Sequence, residues 1–234
     1  MTRYAVYYTP PAGHELTLAA AEWLGRDAFS GLDAPRPSDQ ELSDLGQLVK
    51  EPRRYGFHAT IVAPFKPAEG VGEARLIQTF QSFCAQTPGF DIEGLEVGQL
   101  SNFLALLPKA DSGDLQTFAG RAVLRFDDMR APLTDADLAR RTPERLSARQ
   151  RSYLDRYGYP YVMDEFRFHM TLTGPIADDR ATELKPALAR RFAPHLAAPF
   201  AIDGLALFVE PERGAPFTVL DYRPLQQAPA RKSA

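Results

Sequence analysis

The sequence predicts an α+β fold in which one strand-helix-strand-helix-strand unit occurs twice, with mostly antiparallel sheets around a central groove. Two observations lead to this prediction. The hexapeptide FDIEGL at 90–95 recurs as FAIDGL at 200–205. A His-x-Thr tripeptide followed by an apolar residue begins at His58 and recurs at His169, which are 32 and 31 positions ahead of those blocks. Self-similarity at nearly constant spacing indicates an internal duplication.

The first unit follows from apolar periodicity, which alternates in strands and recurs every three to four residues in helices. The spacing predicts a strand at 4–9, a helix at 14–26, a helical turn at 42–49, the first His-x-Thr strand at about 54–64, a helix at 72–86 and a strand at 90–98. In the helix at 72–86, for example, Leu76, Ile77, Phe80 and Phe83 form one apolar stripe.

The second unit repeats this order and is longer. Its predicted elements are a strand at 103–107, a helix at 111–126, the second His-x-Thr strand at about 167–173, a helix at 178–192 and a strand at 200–209. A helical insert at about 128–157 precedes the second His-x-Thr strand, and Thr142 and Pro143 suit the start of a helix that runs to about 155. A strand at 217–222 is left over and is expected to return to the first lobe.

We therefore expect residues 1–225 to form a single bilobal domain, with a first lobe at about 1–100, a second at about 101–225 and a mobile tail at 226–234. The chain of 234 residues is 44% hydrophobic and 24% charged, as in ordinary globular proteins. The net charge of −3 disfavours binding of long nucleic acid. Most basic residues are arginine, which favours a small anionic partner such as a phosphorylated substrate.

Cysteine content and hydropathy indicate in which cellular compartment the protein is expected. Cys84 is the single cysteine, so neither an intrachain disulfide nor a cysteine-based zinc site can form. The N-terminal residues lack the pattern of a signal peptide, and the sequence has no apolar run of about 18 residues that would span a membrane. A cytoplasmic protein is expected, and the oligomeric state stays open.

The two His-x-Thr segments carry the predicted chemistry. In extended strands, His58 and Thr60 share one face, and His169 and Thr171 share another, while the intervening residues turn to the core. A two-fold relation between the units would bring both pairs to one groove. One imidazole could then act as base and the other as acid on a phosphoester, and the hydroxyls could bind phosphate. The sequence does not say which histidine is the base.

Other candidate ligands of the substrate are arginines and tyrosines near these strands. Arg54 and Arg167 are candidates for binding phosphate, and a salt bridge at the rim is an equal alternative for each. Tyr7, Tyr55 and Tyr161 are candidates for stacking on a base or sugar, although aromatic residues also fill cores. No metal or other cofactor is predicted, because no third ligand stands at suitable spacing.

The tetrapeptides HATI at 58–61 and HMTL at 169–172, within RYGFHAT and FHMTLTG, resemble the paired motifs of the two-histidine phosphoesterase superfamily. That superfamily includes RNA 2′,3′-cyclic phosphodiesterases and enzymes once called 2′-5′ RNA ligases. The chain looks most like the bacterial branch associated with phosphonate-utilisation operons. The resemblance covers nearly the whole chain and implies a bilobal fold and metal-independent opening of a cyclic phosphate. The long insert departs from smaller members and could favour a compact sugar phosphate over an RNA end.

Two alternatives stay open at this point. The same groove could hold a nucleotide or an RNA end as a binding module without turnover. It could also serve 2′-5′ end processing of RNA, which the pI of about 5.8 disfavours.

Overall fold

A computed structural model describes residues 1–35, 44–141, 143–196 and 198–227. Within these ranges the strands are β1 Arg3–Tyr8, β2 Ala59–Phe65, β3 Phe90–Ile92, β4 Leu95–Leu100, β5 Phe103–Pro108, β6 Met170–Thr171, β7 Phe200–Ile202, β8 Gly204–Glu210 and β9 Thr218–Pro224. The α-helices are α1 Glu15–Leu24, α2 Leu45–Leu48, α3 Lys50–Tyr55, α4 Glu73–Gln86, α5 Gly113–Phe126, α6 Asp135–Ala139, α7 Ala148–Tyr157 and α8 Asp178–Phe192. The predicted α+β class is confirmed.

The main sheet is arranged symmetrically about its centre. Its strand order is β4-β5-β6-β2-β1-β8-β9, and every neighbouring pair is antiparallel. The equivalent strands of the two units are β1 and β5, β2 and β6, and β8 and β4. A pseudo-two-fold axis therefore passes between β2 and β6, the strands that carry the His-x-Thr motifs.

The repeated hexapeptides meet each other at the same axis. β3 and β7 form a separate two-stranded antiparallel sheet, in which Phe90 pairs with Ile202 and Ile92 pairs with Phe200. The two repeated segments of the sequence therefore contact each other in the fold.

The units exchange their last long strands. β4 of the first unit pairs with β5 of the second, and β8 of the second unit pairs with β1 of the first. Each half of the sheet therefore contains a strand from the other unit, and β9 extends the half that contains β1. The division into lobes at about residue 100 stays a prediction.

The principal core lies on one face of the main sheet. Tyr4, Val6 and Tyr8 of β1 point into a cluster that also contains buried side chains of α1, α4, α5 and α8. Alternate residues of the same strand, Ala5 and Tyr7, point to the opposite face and pack in a smaller cluster. The helices therefore cover one face of the sheet and leave the other for a groove.

Several element boundaries differ from prediction. The helix α3 occupies Lys50–Tyr55, so the first His-x-Thr strand begins at Ala59 and not near residue 54. The strand predicted at 90–98 is divided at Gly94, where φ is 150°. The strand predicted at 200–209 is likewise divided into β7 and β8.

Within its described residues, the insert contains two α-helices. Thr142, the predicted cap, lies outside the described residues. The second insert helix, α7, begins at Ala148, where Ser147 and Gln150 form a capping box, and it ends at Gly158 in the left-handed conformation.

At the C-terminus, the Gln226 N–H lies 2.9 Å from the Thr87 carbonyl oxygen. The first residue of the predicted tail is therefore hydrogen-bonded to the end of α4. Residues 228–234 lie outside the described part. None of the helices in the described ranges combines the length and the apolar character that a membrane crossing requires.

We expect Leu106→Ala to lower the free energy of unfolding by about 2–5 kcal/mol, because Leu106 is fully buried opposite Met170 in the centre of the sheet. Leu124→Ala is the matched control, since Leu124 is 57% exposed. Denaturant unfolding of both variants measures the difference, and equal effects would contradict the assigned core.

Candidate active site

The two motifs meet where β2 pairs with β6. Ala59 is the antiparallel partner of Met170, and both side chains are buried in the principal core. Residues on either side of these two therefore point to the groove face. Continuing the register by one residue each way places His58 beside Thr171, and Thr60 beside His169. Such cross-strand neighbours have Cβ atoms roughly 4.5–5.5 Å apart.

The His58 ring is held by its own backbone and by its motif threonine. Its Nδ1 lies 2.9 Å from the carbonyl oxygen of Gly56, and its Nε2 lies 3.3 Å from Thr60 Oγ1. Because a carbonyl can only accept, Nδ1 carries the proton of the neutral ring. Nε2 then keeps its lone pair and faces the groove.

His169 repeats this arrangement. Its Nδ1 lies 2.7 Å from the carbonyl oxygen of Arg167, again two residues earlier in the chain. Each ring is thus fixed in the same tautomer by the same local contact. The two repeated units therefore share the contact that sets the tautomer of the histidine as well as the fold.

The pKa values of both imidazoles are lowered, which favours the neutral form of each ring. Burial lowers the pKa of His58 from 6.5 to about 4; the hydrogen bond to Gly56 opposes this shift, and the nearby His169 adds to it. Burial also lowers the pKa of His169, against its hydrogen bond to Arg167. At neutral pH, each ring can therefore accept a proton at Nε2. Both rings also line the same groove.

The three candidate tyrosines take different positions from one another. Tyr7 is buried and stacks on the His58 ring, with centroids 3.8 Å apart and an interplanar angle of 24°. Tyr55 stacks on Phe217, with centroids 5.3 Å apart. These rings support the site from within the protein. Tyr161 is 45% exposed and lies edge-on to Tyr159, outside the residues that line the groove.

The two predicted arginines also differ from each other. Arg54 lies on α3 and not on the strand of His58; it donates to Glu210 Oε1 over 2.7 Å. Arg3 also donates to the Glu210 carboxylate, which is fully buried. Arg54 thus lines the groove while forming the predicted alternative, a salt bridge. Arg167 is exposed and does not line the groove.

The groove is a cavity of about 590 Å³ that brings most predicted site residues together. The predicted residues that line it are Tyr7, Arg54, Tyr55, His58, Thr60, His169 and Thr171. Among described residues, no cluster of three or more His, Cys, Asp or Glu side chains is placed to hold a metal ion.

Sequence reasoning missed a cationic wall of the cavity. Further basic side chains line it: Arg3, Lys66, Arg130, Arg140, Arg141 and Arg213. Three of these come from the insert, where the adjacent pair Arg140-Arg141 was the available signal. Arg3 and Arg213 are isolated in the sequence, and only the pairing of β1 with β8 brings their segments together.

Asp137 joins the insert to the sheet. Its carboxylate accepts from Lys66 over 3.2 Å, from Arg213 over 3.1 Å and from Arg140 over 2.5 Å. A hydrogen bond from Thr134 and these cations hold its pKa far below the ordinary range for a carboxyl. The insert is thereby fixed as a wall of the cavity.

Comparison with known proteins gives a family match. A family model described as a protein of unknown function, DUF1045, matches residues 60–218. Two relatives called ribose 1,5-bisphosphate phosphokinase PhnN are also similar. The one from Janthinobacterium sp. (strain Marseille) is 40% identical over 227 residues, which cover 93% of this chain and 49% of the relative. The one from Laribacter hongkongensis (strain HLHK9) is 36% identical over 217 residues, which cover 92% of this chain and 50% of the relative. The chain spans about half the length of these relatives.

Solved structures with a similar course of the chain include a phosphoesterase, at a TM-score of 0.44 and 16% identity, which covers 97% of this chain and 100% of that one. E. coli LigT complexed with 3′-AMP matches at a TM-score of 0.41 and 14% identity, and the match covers 97% of this chain and 99% of that one. The predicted resemblance to two-histidine phosphoesterases is confirmed by the chain's own architecture, since both motifs lie on adjacent central strands of a duplicated α+β fold.

The turn before His58 depends on glycine. Gly56 has φ +79°, and a Cβ there would lie 2.5 Å from Ala28 Cβ. We expect Gly56→Ala to cost more than the roughly 1–2 kcal/mol of a left-handed alanine, because the clash adds to that strain. Gly70→Ala is the control, since Gly70 has φ +76° and open space around it. Equal losses in denaturant unfolding would contradict the proposed role of the close packing.

Proposed function

The chain belongs to the DUF1045 family, and we propose from the geometry of its groove that it is a metal-independent phosphodiesterase. It opens a cyclic phosphate on a ribose-type or nucleotide small molecule by two-histidine acid–base catalysis. The observation that carries the proposal is the pair of imidazoles, His58 and His169. Each is held at Nδ1 by the carbonyl two residues earlier, and both line one cavity.

In the proposed step, water attacks phosphorus and His58 Nε2 takes a proton from the attacking oxygen. The bond from phosphorus to one ribose oxygen breaks, and His169 Nε2–H protonates that oxygen. The product is a phosphate monoester beside a free hydroxyl, and proton exchange with solvent restores both rings. We assign His58 as the base because burial and the nearby His169 lower its pKa to about 4, which keeps Nε2 unprotonated.

His169 must carry a second proton to act as the acid. A bound phosphate places negative charge beside the imidazole, and such a charge raises the pKa of a histidine. Binding of substrate would therefore favour the protonated form of His169 when it is needed. We expect Thr171, the cross-strand neighbour of His58, to donate a hydrogen bond to a non-bridging oxygen, and Thr60 to do the same once its hydroxyl leaves His58 Nε2.

Two considerations support a ribose phosphate as the substrate. The curated relatives are named as phosphokinases of ribose 1,5-bisphosphate, so the compound that they act on is a ribose phosphate. The cavity of about 590 Å³ is closed on one side by the insert, which suits a compact ligand better than a polymer. A role in phosphonate catabolism follows from the resemblance to the branch associated with phosphonate operons.

We expect His58→Ala or His169→Ala to lower kcat on a cyclic ribose phosphate by about 10²- to 10⁴-fold, because each removes one proton-transfer group. Thermal unfolding of both variants checks that the fold is retained. His195→Ala is the control, since His195 does not line the cavity and should leave the rate unchanged.

Full activity in either variant would overturn the assignment of the pair. Assays with EDTA test metal independence, because a rate that is lost with chelator and restored by a divalent cation would point to a metal enzyme. Binding of cyclic phosphates without any hydrolysis would support the binding-module alternative instead.

The pH dependence of kcat/KM follows from the lowered pKa values of the free enzyme. His58 ceases to be a base as the pH falls through its pKa of about 4, and His169 loses its proton as the pH rises through its own pKa, which lies below 6.5. We expect a bell-shaped profile with its maximum on the acid side of pH 6.5, measured by steady-state kinetics. A rate that rises continuously to about pH 9 would contradict the assignment of His169 as the acid.

A further inference from the structure

The cavity contains more positive charge than a cyclic phosphate requires. Seven arginine and lysine side chains line it, namely Arg3, Arg54, Lys66, Arg130, Arg140, Arg141 and Arg213. A cyclic phosphodiester carries a single negative charge. Whether the surplus is available to a ligand depends on how many of these cations the protein neutralises itself.

Carboxylates of the protein neutralise only part of this charge. Arg3 and Arg54 share one buried carboxylate, that of Glu210. Arg130 pairs with Asp127, but Asp127 also binds Arg156. In both places, one carboxylate faces two guanidinium groups.

The cluster around Asp137 has a larger surplus. Lys66, Arg140 and Arg213 all donate to this one carboxylate. Three positive charges around one negative charge leave a local surplus of positive charge. The side chains are partly exposed to the cavity, so a bound anion can reach them.

Arg141 differs from the other six. No carboxylate or carbonyl group within the described ranges pairs with its guanidinium, which lies 5.1 Å from the ring centroid of Tyr159. Burial lowers the pKa of Arg141, and desolvation raises the pKa of the half-buried Tyr159 beside it. A partly buried cation that forms no ion pair within the described ranges costs free energy, and an anionic ligand would offset that cost.

Arg141 also lies near the residues that support the catalytic pair. Arg141 lines the same cavity as Arg3 and Tyr55, and Tyr159 lines it together with Tyr7, which stacks on His58. The insert therefore faces the first half of the sheet across the cavity. A pentose with two phosphate groups falls within the size of ligand that cavities of several hundred Å³ hold.

We propose that Arg141 is the centre of a second anion subsite, completed by Lys66, Arg140 and Arg213, which binds a phosphate monoester. The substrate is then a ribose-type cyclic phosphate that carries a second, monoester phosphate. This inference rests on the proposed function for the cyclic phosphate, whereas the subsite itself is a matter of binding and can be tested separately.

The first test compares two substrates, ribose 2,3-cyclic phosphate and its 5-phosphorylated derivative. We expect wild-type kcat/KM to be about 10-fold or more higher for the phosphorylated substrate, because charge-assisted contacts add transition-state binding. Arg141→Met should lower kcat/KM for that substrate by about 10- to 100-fold and remove the preference. Arg151→Met is the matched control, since Arg151 is an exposed arginine of the same insert outside the cavity lining and should preserve the preference.

The second test measures binding of ribose 5-phosphate by isothermal titration calorimetry, without any turnover. Wild type and Arg151→Met should bind it with equal affinity, and Arg141→Met should bind it about 10-fold or more weakly. Circular dichroism and thermal unfolding show whether Arg141→Met retains the fold, and Arg141→Lys should recover part of the affinity because it restores the charge.

The outcomes separate the two proposals. Binding of ribose 5-phosphate that depends on Arg141, without cleavage of any cyclic phosphate, would support the subsite and refute the proposed activity. Cleavage of both cyclic substrates with equal kcat/KM, together with binding that Arg141→Met leaves unchanged, would refute the subsite and support the activity alone.

Discussion

The antiparallel pairing of β2 with β6 is the contact on which the site depends. β6 is only two residues long, and the bridge between Ala59 and Met170 joins the two halves of the main sheet. Further bonds hold the segment that follows β6: the Leu172 N–H donates to Leu104, and Trp23 Nε1 donates to the Leu172 carbonyl over 2.7 Å. Because both motifs alternate about this bridge, fixing it also fixes which side chains enter the groove.

The sheet has two faces with different roles, and the reactivity of the site follows from that division. One face is covered by helices and supplies most of the apolar burial, which is the main favourable contribution to folding. The other face holds His58 against Tyr7, in a position where desolvation lowers the pKa of the ring. Each imidazole donates to a carbonyl of its own segment, so the hydrogen bond that fixes its tautomer is local.

Local patterns predicted the duplicated fold and the histidine and threonine pairs, because strand alternation and the repeat spacing are properties of the sequence itself. The same patterns placed Arg54 at the start of the first His-x-Thr strand, whereas it lies on the helix α3; Pro52 lies in the first turn of that helix, where proline is tolerated. Arg167 and Tyr161 were assigned to the site because they are near the second motif in sequence, but both are exposed and neither lines the cavity. The cationic wall depends on the docking of the insert through Asp137, a long-range contact that periodicity does not encode.

The two repeats exchange strands, so neither repeat can complete its part of the main sheet alone. A polypeptide of half this length would leave its terminal strand without a partner, and two copies would have to associate for β4- and β8-like strands to pair. Each copy would then supply one imidazole, so that a single catalytic centre would require a homodimer. Joining the copies in one gene makes that encounter intramolecular and independent of concentration. It also frees each copy to diverge, as the insert in the second unit already has.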